Sequence, residues 1–205
     1  MTTVELPVPT VPAPRTRTSR VPRSAPLRLH LPGRTLLLVA GMPGAGKSTL
    51  LASLPGSPEL VVLDSDEHRL ALARRLPGIA YRRYRPLVHL RHRIAVVQAA
   101  WSATPTVVVH LPATDAATRA VVALLAALTG RTAHLLWLHV DPVEALRGQR
   151  ERGRLVPSTS FAGHARRGAE ATEQLRGARP RGWSTVTVVD RAQARPGLRI
   201  DTGGH

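Results

Sequence analysis

The chain has 205 residues, 43% of them hydrophobic, no cysteine and a formal charge of +16. That length and apolar content suit one sizeable core, and they exclude a disordered polyelectrolyte, a disulfide scaffold and a thiolate metal site. No apolar run is long enough to cross a bilayer, so a cytoplasmic protein with no membrane partner is expected.

Residues 1–32 hold Pro, Thr and Arg without apolar periodicity and read as a disordered basic tail. One domain follows over 33–190, then an irregular C-terminal tail over 191–205. Thr35 to Ala40 is a short apolar run fit for a strand buried on both faces. Lys47 to Leu54 reads as a helix, Leu60 to Leu63 as a second strand, and Ser65 to Leu76 as a second helix. Ala80 to Ala103 carries Leu87, Leu90, Ile94, Val97 and Trp101 at spacings of three and four, which predicts a long amphipathic helix. Pro86 must then sit near its start or kink it. Thr106 to Val109 is a third strand, Ala116 to Leu128 a helix, and Ala133 to Val140 a fourth strand. Asp141-Pro142 opens a further helix with an N-cap acceptor and a proline. Thr159 to about Arg176 is helical and Thr185 to Val189 a fifth strand. Strands alternating with helices predict an α/β fold, a five-stranded parallel sheet with helices on both faces.

Gly41-Met42-Pro43-Gly44-Ala45-Gly46-Lys47-Ser48 matches G-x-x-x-x-G-K-S between a strand and a helix. Glycines let the backbone turn its N–H groups onto phosphates, and the helix start adds its positive dipole end. Lys47, the only lysine among 29 basic residues, reaches the β and γ phosphates of a nucleoside triphosphate. Ser48 takes a place on Mg²⁺, and Thr49 is a further phosphate contact. ATP is expected over GTP, since no guanine-reading Asn-Lys-x-Asp motif occurs.

Asp64-Ser65-Asp66 lies at the carboxyl end of the second strand, the edge where open α/β sheets bind ligands. Asp64 can hold the metal and Asp66 can accept the proton of an attacking hydroxyl. Helix capping by Asp66 is the alternative.

Here the chain resembles P-loop kinases of the nucleoside-monophosphate-kinase type. Asp64-Ser65-Asp66 is similar to the paired aspartates of shikimate and gluconate kinases. Asp66 and Arg69 resemble the D-x-x-R of polynucleotide 5′-kinases and kinase-like AAA-family ATP-binding proteins. The resemblance spans roughly residues 34–190 and implies Asp66 as base and Arg69 as anchor of the acceptor. Many such relatives end the third strand in a carboxylate, where this chain has His110, with Asp115 close by. They also carry an arginine-bearing lid where this chain has Arg147, Arg150, Arg152 and Arg154 around Gly153. Arg150 and Arg154 are the expected cations on the transferred phosphoryl group.

The expected activity is ATP-dependent phosphoryl transfer to a hydroxyl acceptor, a small molecule or nucleotide, with ATP and Mg²⁺ as cofactors. A regulatory ATP-binding or ATP-hydrolysing protein without transfer is the first alternative. A nucleic-acid 5′-kinase or binding protein is the second, drawn from the charge and from Arg82, Arg83, Arg85, Arg91 and Arg93 on the long helix. Aromatic residues make up only 3% of the chain, too few for a stacking platform on single strands.

Overall fold

The computed structural model describes residues 25–150 and 158–203, apart from the side chains of 148–150 and 158–160. Five parallel strands form the central sheet in the order β3 (Leu60–Leu63), β4 (Thr106–His110), β2 (Thr35–Gly41), β5 (Thr132–Leu138) and β6 (Thr185–Val189). None of the seven residues of β2 carries a charge and all are buried, which lets both faces of this middle strand be covered. Leu37 pairs with Val108 on one side and His134 on the other. From β2 the chain passes through α1 (Lys47–Leu51) to the edge strand β3, and β4 later fills the gap between them. The strand order therefore reverses at β2, which places the ligand crevice at its carboxyl end.

Alternate side chains serve opposite faces. Leu36, Leu38, Val107, Val109, Leu135 and Trp137 pack under α3 (Tyr81–Trp101), α4 (Ala116–Leu128) and the second half of α6 (Ser158–Gly177). Leu37, Val39, Val108, Leu136 and Leu138 meet α1, α5 (Pro142–Arg150) and α7 (Arg191–Ala194). Between β3 and α3, α2 (Ser65–Arg75) packs on α3 through Leu72, Tyr84 and Val88. The expected strands and helices are present within three residues of their expected bounds, and the fold is the expected α/β architecture.

Three local expectations need correction. Residues 27–30 and 198–201, read as parts of irregular tails, form β1 (Leu27–His30) and β7 (Leu198–Asp201), a separate parallel pair. Leu27 and Leu29 face inward while Arg28 and His30 face solvent, an alternation too short to stand out in the sequence. The Ser53 hydroxyl receives the Leu198 N–H at 2.9 Å and ties this pair to the turn after α1. That helix itself stops at Leu51 rather than Leu54, as turns close Leu50 to Ser53 and Leu51 to Leu54.

The third correction concerns α3. Its core-facing residues are Tyr84, Val88, His92, Val96 and Ala100, so the apolar series Leu87, Leu90, Ile94, Val97 and Trp101 points outward. The C-terminal carbonyls of α3 are gathered by the Arg131 guanidinium, which also donates to Thr35 O and Pro105 O at the starts of β2 and β4. A helix end buried this way must find donors for its unpaired carbonyls, and Arg131 supplies them.

Candidate active site

The segment after β2 folds as a tight loop. Gly44 has φ +92° and lies so close to the Ala145 carbonyl oxygen that a Cβ there would collide with it. Gly46 has φ +100° and opens α1, with empty space where a Cβ would project. Both positions require glycine for backbone reasons. Inside the loop the Lys47 ammonium is 5% exposed and donates to Gly41 O at 2.8 Å and Met42 O at 3.0 Å. Burying a cation is costly unless it is paired or hydrogen-bonded.

The parallel register carries Leu63 opposite Val109, so one step further along the two strands sets Asp64 beside His110. His110 Nδ1 lies 2.9 Å from Asp64 Oδ2. Asp64, not Asp66, caps α2, its Oδ1 accepting the Asp66 N–H at 3.0 Å. Burial alone would push the Asp64 carboxyl upward. The hydrogen bond and charge of His110 and the bonds from Asp66 N–H and the Ser48 side chain outweigh it and lower the carboxyl to about 2. Asp64 therefore stays ionised and oriented on Ser48. Behind it, His92 of α3 donates from Nε2 to the His110 carbonyl at 3.2 Å and meets His68 edge to face.

Asp66 accepts a hydrogen bond from Arg69 Nε at 3.2 Å, and both side chains are partly exposed. The expected pairing of these two is thus a direct contact. Asp115 is spent elsewhere, as the N-cap of α4, receiving the Thr118 N–H and hydroxyl. Arg154 lies outside the described residues, and of Arg150 only the backbone at the end of α5 is described. The sequence reading missed the basic group that α6 adds. Gly168 packs on Met42, which sets the first half of α6 beside the loop. Burial chiefly lowers the His164 pKa, followed by the charges of Arg167, Arg85 and Lys47 around it. Nothing in the Ala165-Arg166-Arg167-Gly168 stretch marks Arg167 out locally; only the packing of Gly168 does.

On the other side of the loop lies a cleft of about 1220 Å³ bordered by Thr49, His139, Glu144, Arg147, Asp190 and Arg191. It joins the open side of Gly46, and together they offer room for a nucleoside beside the phosphate loop. Ser48 and Asp64 present hard oxygen donors suited to Mg²⁺, which keeps several waters and needs few protein ligands. Among the described residues no cluster of three or more acidic, histidine or cysteine side chains offers a separate metal site. The residues present fit a triphosphate with its magnesium ion.

Known proteins share the fold. A chain of the PezAT chromosomal toxin–antitoxin system of Streptococcus pneumoniae superposes with TM-score 0.56 at 14% identity, over 83% of this chain and 72% of that one. A candidate kinase of Chloroflexus aurantiacus superposes with TM-score 0.54 at 20% identity, over 77% and 85%. A chain of the Pnkp1/Rnl/Hen1 RNA repair complex superposes with TM-score 0.56 at 16% identity, over 71% of this chain and 47% of that one. No curated protein matches the sequence. At these identities the likeness speaks for the fold. The AAA domain family model matches residues 36–177, from β2 to the end of α6, and the chain belongs to that family.

Proposed function

We propose that the protein is an ATP-dependent phosphotransferase acting on a hydroxyl acceptor. The observation that carries this reading is the division of labour between the two aspartates. Asp64 lies 2.9 Å from His110 Nδ1 and interacts with Ser48, while Asp66 stands two residues on, partly exposed, beside Arg69. The Gly41–Thr49 backbone and Lys47 hold the β and γ phosphates, and Ser48 with Asp64 would hold Mg²⁺, whose charge offsets that of the triphosphate. The nucleoside enters the cleft bordered by His139 and Arg191. Asp66 takes the proton of the acceptor hydroxyl as the hydroxyl oxygen attacks the γ phosphorus, the bond from that phosphorus to the β–γ bridging oxygen breaks and ADP leaves, and Arg69 anchors the acceptor. Arg167 and Arg85 stabilise charge on the γ oxygens, a task the resemblance also gives to Arg150 and Arg154.

Consumption of ATP against sugars, nucleosides, aminoglycosides and 5′-hydroxyl oligonucleotides tests the proposal. Asp66→Asn should lower transfer by about 10² to 10⁴ and leave the ATP Kd within about threefold; transfer at the wild-type rate would remove Asp66 from the mechanism. His110 supports a second reading, an ATP-binding regulator without transfer, because it stands where an acid orienting the metal shell was expected and occupies an Asp64 oxygen. Tight ATP binding with no acceptor in the panel phosphorylated would select that reading. Among the described residues no helix is long and apolar enough to cross a membrane.

A further inference from the structure

The outward face of the α3–α4 layer carries a surface that the nucleotide site does not use. At 100° per residue, Leu87, Leu90, Ile94, Val97 and Trp101 lie about 180° from the buried residues of α3, and Trp101 is 64% exposed. Next to α3 on the same face of the sheet runs α4. Its outward residues Val121, Leu124 and Leu128 are each more than half exposed, and Ala117, Ala120 and Ala127 fill the spaces between them. The single charged residue of α4, Arg119, turns inward, donates to Ala113 O at 2.9 Å and lies over the Trp137 ring. A helix of this composition normally has a second layer over it.

We propose that this face is a homodimer interface, in which α3 and α4 of one protomer pack against α3 and α4 of a second copy of this chain. Three observations select that occupant. First, the area suffices. With roughly 150–250 Å² per large side chain, half-exposure of these eight leaves on the order of 700 Å² of apolar surface. That is close to the ~800 Å² that each partner buries in a standard stable interface. Second, two adjacent helices facing their symmetry mates form a four-helix layer, and a two-fold axis brings the same patch against itself. Third, the α4 surface has no charge. An acidic partner would find no cation on it, and a lipid-bound face would be rimmed by Lys and Arg on every side. Here the cations belong to α3 alone, Arg91 and Arg93 flanking the stripe and Arg83 closing its N-terminal end. A neutral patch is best matched by another neutral patch, which offsets part of the repulsion between two chains of +16.

Light-scattering mass of the full chain tests this, with 22.1 kDa for one copy and twice that for the dimer. The wild type should be dimeric at tens of micromolar. Raising salt from about 0.1 to 0.5 M should increase the dimer fraction by screening the like charges. Leu124→Glu and Ile94→Glu should each weaken association by at least about tenfold and keep the ATP Kd within about twofold, since both lie away from the phosphate loop. The wild type itself provides a readout needing no variant: its Trp emission should shift to the red on dilution as Trp101 becomes wet, the other two tryptophans being buried. Mass of 22.1 kDa up to about 100 µM overturns the proposal, as does a dimer that both variants leave intact. A monomer that pellets with phosphatidylserine vesicles would give the face to lipid instead. A monomer whose Trp101 resists iodide quenching would give it to residues 1–24. Either result overturns the second-copy reading.

Discussion

Two cations are buried to the same degree at opposite ends of the central sheet, Lys47 at the carboxyl edge and Arg131 at the amino edge, each 5% exposed. Both are held by main-chain carbonyls, yet they do different work. Arg131 spends all five of its N–H donors on Ala99, Ala100, Ser102, Thr35 and Pro105. Its coordination is closed, and it clamps the end of α3 to the starts of β2 and β4. Lys47 sits in a loop shaped by glycines, with a cleft of about 1220 Å³ beside it. A buried charge is a functional group where its surroundings stay open to a ligand, and a fastening where its donors are used up.

That contrast can be broken experimentally, and the largest effect belongs to Lys47. Lys47→Met should weaken ATP binding at least about 100-fold, roughly 3 kcal/mol, in calorimetry with magnesium present. The melting temperature without nucleotide should fall less than in Arg131→Met, because the variant removes a buried charge and keeps an apolar side chain of similar length. Uptake of ATP by this variant at wild-type affinity would end the phosphate-loop assignment. Arg131→Met should do the reverse. Leaving five carbonyls short of a donor should cost about 2–4 kcal/mol of folding stability in urea, with the ATP Kd of the folded protein unchanged. Equal stability would show that water replaces the guanidinium and that the clamp is idle.

A smaller, pH-dependent effect sharpens the same division. His134 is buried in β5, its Nδ1 2.7 Å from Thr185 Oγ1, and burial lowers its pKa below the ordinary 6.5. The unfolded chain therefore takes up a proton that the folded chain refuses. Stability should be full above pH 6.5 and fall as pH drops through 6.5 toward the lowered folded value, by at most about 1.4 kcal/mol per pH unit for this group. His134→Gln should flatten that slope, and His92, lowered mainly by its own burial, should preserve part of it. A urea series between about pH 7 and pH 5 reads the difference; an unchanged slope in the variant would remove His134 as its source.

How much of this was legible differs from residue to residue. The phosphate loop was readable because its parts are contiguous: glycine turn, ammonium and hydroxyl fall within Gly41–Thr49 between a strand and a helix. Asp64 and Asp66 were visible at the end of β3, but which of them caps α2 depended on backbone geometry, φ −113° and ψ 130° at Asp64. The link from Asp64 to His110 arises from the β3–β4 register, across 46 positions of sequence (110 minus 64), and α6 meets the loop through the packing of Gly168 on Met42. Periodicity identified α3 as a helix with one apolar stripe and said nothing of a second, inward face made of Tyr84, Val88, His92, Val96 and Ala100. More polar than the stripe, those residues meet α2 through Tyr84 and Val88 and the sheet through Val96 and Ala100.

Local order along the chain was enough to specify the alternation of strands and helices and the phosphate loop, because hydrogen-bonding period and turn chemistry act over a few residues. Assembly in three dimensions decided what pairs across long separations: β1 with β7, Asp64 with His110, Arg131 with the end of α3, and which side of α3 meets the sheet. Those choices come from strand register and side-chain volume, quantities that exist only once distant segments touch.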